Sequence, residues 1–140
     1  MRGDSPEVGS PGEKLETILV VDDVEPVLRM CVSILEDANF LVLQATSGDD
    51  AIKVVSEFAG KIDLLLSDVK MPGMSGPDLA ETLKGKRPDI RVMFMSGYTG
   101  GDLLTLNYGW TFIEKPFVPT KLVQMVNRVL HTPDQSQGFR

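Results

Sequence analysis

Asp22, Asp23, Asp68, Ser96 and Lys115 share a placement: each closes an apolar run and opens a loop. Thr17-Ile18-Leu19-Val20-Val21 runs into Asp22-Asp23, and Ile62 to Ser67 runs into Asp68. Arg91-Val92-Met93-Phe94-Met95 runs into Ser96, and Thr111-Phe112-Ile113-Glu114 into Lys115-Pro116. An apolar run of about four to eight residues bounded by turn residues reads as a buried strand. A carboxylate at the end of such a strand is costly without a partner. Three carboxylates gathered in one crevice repel each other, and some would be protonated without a counter-charge. A hard divalent cation resolves this, since Mg²⁺ takes oxygen ligands and sits on one or two carboxylates plus a phosphate. No cluster of His or Cys points to zinc. With the site neutralised, one Asp can act as a nucleophile toward phosphorus, giving an aspartyl-phosphate. Mg²⁺, the Lys115 ammonium, the Ser96 hydroxyl and backbone N–H groups would then neutralise the equatorial oxygens of the transferring group.

That chemistry requires elements that bring the run ends together. Phe40 to Ala45 supplies a further strand, and the gaps between strands carry helical periodicity. After Pro26, a residue suited to a first helical turn, Val27, Met30, Cys31, Ile34, Leu35 and Ala38 recur at three-and-four spacing. Ala51, Ile52, Val54, Val55 and Phe58 form a second apolar stripe. Ser75 is placed to N-cap a third helix reaching about Lys86, with Leu79, Ala80 and Leu83 inward. A final helix spans Val118 to His131, with Leu122, Val123, Val126, Val129 and Leu130 inward. Gly97 to Gly109 is glycine-rich with a short apolar patch, and predicts one or two turns of poorly formed helix. Strand-helix alternation predicts an α/β fold: a five-stranded parallel sheet with helices on both faces and right-handed crossovers. In the flavodoxin-like order 2-1-3-4-5 the ligand crevice lies at the carboxyl ends of strands one and three. Asp22, Asp23 and Asp68 would meet there, with Ser96 and Lys115 beside them.

The bulk numbers agree with one such domain. The chain has 140 residues, 42% of them hydrophobic, with 20 acids against 14 bases and a net charge of -6. That balance argues against a nucleic-acid surface, which needs a basic stripe. The single cysteine, Cys31, excludes an internal disulfide and a multi-Cys metal site. No apolar run reaches the roughly 18 residues of a membrane span, and the N-terminus has no charged-then-apolar signal pattern. The reading is a cytoplasmic domain over residues 17–131, preceded by a Gly/Pro/Ser-rich linker at 1–16 and followed by a polar tail at 132–140.

The sequence resembles the receiver domains of two-component response regulators. The motifs that carry the resemblance are Asp22-Asp23, Asp68 with Met71-Pro72-Gly73-Met74-Ser75-Gly76, Met95-Ser96-Gly97-Tyr98, and Lys115-Pro116-Phe117. They span residues 17–131 in the expected order. Met95-Ser96-Gly97-Tyr98-Thr99 and Glu114-Lys115-Pro116-Phe117 are most similar to receivers at the C-terminus of hybrid sensor histidine kinases. The resemblance implies that Asp68 accepts a phosphoryl group from a histidine kinase or histidine phosphotransfer domain. It implies that Asp22, Asp23, Asp68 and the Lys70 backbone carbonyl hold Mg²⁺. Ser96 and Lys115 would bind the phosphoryl group, Phe112 would be the switch aromatic, and the Lys115–Pro116 bond would be cis. Phosphorylation would bias a two-state equilibrium. Lys70 and Tyr98, two residues beyond Asp68 and Ser96, flank the path of an attacking water and would tune phosphoryl lifetime. A homodimer is compatible with this reading; contact with nucleic acid or membrane is not expected. Val24 stands where the family often has another acid, and Phe112 lacks the tyrosine hydroxyl, so it can turn inward without burying an unpaired polar group.

Blander readings exist for each residue. Asp22-Asp23 alone would more often be a helix-entry cap, Ser96 a turn serine, Lys115 a surface lysine and Phe112 core. Cys31 reads as packing. His131, the only histidine, lies in a helix's last turn, where a cation is favourable, so the phospho-donor must be another domain or protein. Two other functions compete: a phosphatase turning over through an aspartyl-phosphate, and a docking pseudo-receiver that is never phosphorylated. The first usually has a second acid two residues after the nucleophile, where this chain has Lys70. The second does not need the complete set of acids with Lys115. The expected role is therefore a self-phosphorylating switch rather than an enzyme acting on other substrates.

Overall fold

The computed structural model describes residues 15–97 and 110–132. The five strands are β1 (Thr17–Val21), β2 (Leu41–Ala45), β3 (Leu64–Asp68), β4 (Arg91–Ser96) and β5 (Thr111–Glu114). Among the described residues the helices are α1 (Glu25–Asp37), α2 (Gly48–Glu57), α3 (Gly76–Lys86) and α4 (Pro119–His131). All strand pairs are parallel, in the order β2-β1-β3-β4-β5. The order read from the sequence is the order found. The poorly formed helix expected within 97–109 falls almost wholly outside the described residues, as does Tyr98.

The helix starts follow from their first residues. The Ser47 hydroxyl accepts the Asp50 N–H at 3.0 Å to cap α2, and the Ser75 hydroxyl accepts the Asp78 N–H at 3.2 Å to cap α3. Helices α1 and α4 have no side-chain cap and open instead with proline in the first turn, where its missing N–H costs no hydrogen bond.

Two cores flank the sheet because alternate side chains of each strand point to opposite faces. Leu19, Val21, Leu65, Val92 and Phe94 meet Ala51 and Val55 of α2 and Leu79, Ala80 and Leu83 of α3. Ile18, Val20, Leu64, Leu66, Met93, Met95 and Ile113 meet Leu28, Cys31, Val32 and Leu35 of α1 and Leu122 and Val126 of α4. Burial on both faces explains why β1 and β3 are apolar without alternation. One part of the sequence reading is corrected here. Met30 is 41% exposed, and the buried stripe of α1 is Leu28, Cys31, Val32 and Leu35. Those residues recur at i, i+3, i+4 and i+7, a better helical face than the one centred on Met30. Ile62 is buried but precedes β3, and Phe40 is buried but precedes β2.

Candidate functional site

The register fixes which strand ends meet. Val21 pairs with Ser67, and Asp68 with Met95, so the residues following β1 and β4 lie beside the end of β3. Ser96 pairs with Glu114, which brings Lys115 to the same end. The Lys115 N–H donates to the Ser96 carbonyl at 2.7 Å, extending that pairing past the strand. The Lys115–Pro116 peptide bond is cis, as the resemblance implied.

The three aspartates converge. Asp22, Asp23 and Asp68 each offer an oxygen, and these atoms lie within 4.8 Å of one another. Their settings differ. Asp22 is wholly buried, Asp68 is half-buried and Asp23 is exposed. Asp22 uses both carboxylate oxygens: Oδ1 accepts the Val24 N–H at 2.9 Å, and Oδ2 pairs with Lys115 Nζ at 3.0 Å. The same Nζ lies 3.4 Å from Asp68 Oδ1, which also accepts the Val69 N–H at 3.0 Å. Lys115 thus bridges two of the three acids.

The electrostatics reflect this crowding. Burial is the largest influence on the Asp68 carboxyl and pushes its pKa up; the Asp22 charge adds to the rise, and Lys115 and the Val69 N–H only partly offset it. For Lys115, burial pulls the ammonium down. The hydrogen bond that it donates to Asp22 and the charges of Asp68 and Asp22 outweigh burial, so its pKa rises. The lysine is therefore held charged, whereas Asp68 is short of positive charge. A cation among the acids would remedy that, and the donor set consists of oxygens without His or Cys, which suits a hard ion such as Mg²⁺.

The other expected residues fall near or beside this cluster. Ser96 is buried at the end of β4, and Lys70 is exposed in the loop after β3. Phe112 is half-buried on β5, its ring stacked on Phe94 with centroids 5.5 Å apart and planes at 27°. Trp110 meets the Phe94 ring edge-on, with centroids 5.0 Å apart and planes at 67°. Cys31 is buried in the second core with its thiol 3.6 Å from the Met95 sulfur. Burial, with the Asp22 charge, pushes that thiol up to about 11, so it stays protonated and packs as expected. The sequence reading overlooked the two backbone donors, Val24 N–H and Val69 N–H. Each lies one or two residues beyond its acid, and residue types alone do not reveal such a bond.

Comparison with known proteins agrees with the geometry. The sequence pattern of the response regulator receiver domain matches residues 18–127, and the chain belongs to that family. It is 34% identical over 121 residues to the sensor kinase CckA of Brucella abortus, covering 84% of this chain and 13% of the kinase. It is 29% identical over 132 residues to the response regulator SaeR of Staphylococcus aureus, covering 87% of this chain and 57% of SaeR. The chain therefore spans only part of either relative. Among solved structures, the receiver domain of the hybrid histidine kinase CckA is 37% identical, with a TM-score of 0.70 over 81% of this chain and 98% of that one. The chemotaxis protein CheY4 of Vibrio cholerae is 25% identical, with a TM-score of 0.77 over 84% of this chain and all of that one. The fold is thus that of CheY-like receivers, and the protein is a receiver domain of two-component signalling, homologous to the one in CckA.

Proposed function

We propose that this domain is a Mg²⁺-dependent phospho-acceptor, in which Asp68 takes a phosphoryl group from a phosphohistidine of a kinase or phosphotransfer domain. The observation that carries the reading is the convergence of Asp22, Asp23 and Asp68 with Lys115 at the carboxyl ends of the strands. Asp68 Oδ attacks phosphorus; the Oδ–P bond forms as the N–P bond of the donor breaks, and the imidazole leaves with the electron pair. Asp22, Asp23, Asp68 and the Lys70 carbonyl would hold Mg²⁺. When bound, the cation supplies positive charge to the phosphoryl oxygens and lets Asp68 react as an anion. Lys115 neutralises another of those oxygens, and the buried Ser96 hydroxyl donates to a third. The acceptor must be ionised to attack, and Lys115 helps keep it so despite burial.

The switch would run from Ser96 through Phe112. Movement of Ser96 toward the phosphoryl group frees space that the Phe112 ring can fill at little polar cost. Lys70 and Tyr98 would set the lifetime of the phosphorylated state. The receiver would occupy residues 17–131, work in the cytoplasm and form part of a hybrid kinase or a single-domain regulator. No helix among the described residues is long and apolar enough to cross a membrane.

Intact-mass measurement after acetyl phosphate and Mg²⁺ tests the proposal. Wild type should gain one phosphate, chelation should abolish the gain, and Asp68→Asn should remain unmodified. An equal adduct on Asp68→Asn would refute the assignment. Sustained turnover of a phosphomonoester would instead favour the phosphatase reading.

A further inference from the structure

The loop between β3 and α3 carries Lys70, whose carbonyl must reach the cation on the reading above, yet three of its seven residues are solvent-exposed. Lys70, Pro72 and Gly73 are exposed, whereas Val69 and Met71 are buried in the first core. Two glycines, one on each neighbouring helix, seat the rest. Gly76 opens α3 and donates its N–H to the Val69 carbonyl at 2.8 Å, closing the loop on itself. A Cβ at Gly76 would overlap the backbone carbonyl oxygen of Asp68 and lie 3.1 Å from Cε1 of Phe94. The obstruction is backbone, with a packed ring behind it, so no rotamer change relieves it. Gly48 opens α2 and is buried. A Cβ there would lie 2.8 Å from both Cβ and Sδ of Met74. Met74 packs against the first residue of α2 because Gly48 has no side chain.

We propose that Gly76 and Gly48 are positioning residues for the metal and phosphoryl site. Gly76 lets the start of α3 rest directly on the Asp68 peptide, and Gly48 receives Met74. Between these two contacts the loop has little freedom to shift, which fixes the Lys70 carbonyl relative to Asp22 and Asp23. Neither glycine touches the cation or the phosphoryl group; each acts through the backbone between Asp68 and Gly76. Residues that orient metal ligands commonly cost about 10–100-fold in affinity when lost. A methyl at Gly76 meets fixed backbone and belongs in that range. A methyl at Gly48 meets a flexible side chain as well as its Cβ, so the loss there should be roughly threefold.

The inference rests on the proposed Mg²⁺ role, and the experiment separates the two. Mg²⁺ affinity is measured by titration calorimetry on wild type, Gly76→Ala, Gly48→Ala, Met74→Gly and Gly48→Ala/Met74→Gly, with thermal melts in metal-free buffer. Absence of Mg²⁺ binding by wild type would refute the functional reading itself. If wild type binds, Gly76→Ala should lose at least about tenfold in affinity while retaining a cooperative melt. Gly48→Ala should lose roughly threefold, and adding Met74→Gly should bring the double variant back to the affinity of Met74→Gly alone. A general packing defect would lower the melting temperature without that pairwise recovery. Wild-type affinity in both alanine variants, or a Gly48→Ala deficit unchanged by Met74→Gly, overturns the inference. Should Gly76→Ala fail to fold, the Gly48–Met74 cycle decides it alone.

Discussion

The two ends of the sheet treat charge in opposite ways. At the amino ends of the strands, Arg87, Arg91 and Asp63 are bound to backbone, although Lys61 also lies 3.6 Å from Asp63 and His131 3.0 Å from Glu16. Arg87 donates to the carbonyls of Val55, Phe58 and Gly60, closing the end of α2. Arg91 donates to the carbonyls of Val129 and Thr132 at the end of α4. Asp63 accepts the Thr17 N–H at 2.8 Å. These groups satisfy carbonyls and N–H groups that helix and strand ends leave over, and a cation there also complements the helix dipole. At the carboxyl ends, Asp22, Asp68 and Lys115 are committed mainly to one another. Three acids converge there and the one lysine bridges only Asp22 and Asp68, so the site is short of positive charge. The lesson is that similar residue types serve stability at one end and exchange at the other, depending on whether the partner is a fixed carbonyl or a replaceable ion.

The largest expected effect tests the stability end. Arg87→Met should remove three hydrogen bonds from a charged donor and leave the end of α2 with only the Phe58 N–H on the Val55 carbonyl. With each such bond worth about 1.5–3 kcal/mol at most and partial access for water, a net loss of about 3 kcal/mol is expected. Urea denaturation measures it, and Mg²⁺ affinity should stay within about twofold of wild type. A large drop in Mg²⁺ affinity with unchanged stability would break the comparison.

Lys115→Met tests the other end. It leaves Asp22 wholly buried with only the Val24 N–H as partner. Removing one member of a buried pair costs about 3–5 kcal/mol; the partial exposure of Lys115 argues for a smaller loss, about 2 kcal/mol. If the site is built for exchange, Mg²⁺ should recover much of that loss. The stabilisation by Mg²⁺ in thermal melts should then be larger in Lys115→Met than in wild type. Equal stabilisation in the two would mean that the lysine and the cation do not share the acids.

Much of this was legible in the sequence because it rests on short-range patterns. Continuous apolar runs marked β1, β3 and β4 as buried strands, and Ser75 marked the start of α3. The site followed from the topology, since parallel strands place all their carboxyl ends on one side. The commitments at the other end were not legible. Arg87 and Arg91 resemble surface cations in sequence, and their carbonyl partners lie tens of residues away, at Val55 to Gly60 and at Val129 and Thr132. The rotation of α1 that exposes Met30 was also missed, because Met30 and Leu28 are both apolar and only packing on the sheet chooses between them.

The smallest expected effect is a gain, and its pH dependence carries the test. The Asp68 carboxyl sits above its usual value of 3.8 because of burial and the Asp22 charge. A raised carboxyl binds its proton more tightly in the folded state than in the unfolded state. Below 3.8 the group is protonated in both states and costs nothing. As pH rises through the window between that value and the raised folded one, the unfolded chain ionises first, and folding loses free energy. Above the folded value the whole penalty is present. Asp68→Asn removes the ionisation while keeping the shape, and Lys115 retains Asp22 as a partner. In metal-free buffer at neutral pH the variant should therefore melt about 2–4 °C above wild type. The difference should shrink as pH falls toward 4 and vanish below it. Mg²⁺ should also narrow it, by stabilising wild type more than the variant. A variant less stable than wild type at neutral pH would show that Lys115 and the Val69 N–H already satisfy Asp68. The carboxyl ends would then be as settled as the amino ends, and the contrast between them would fail.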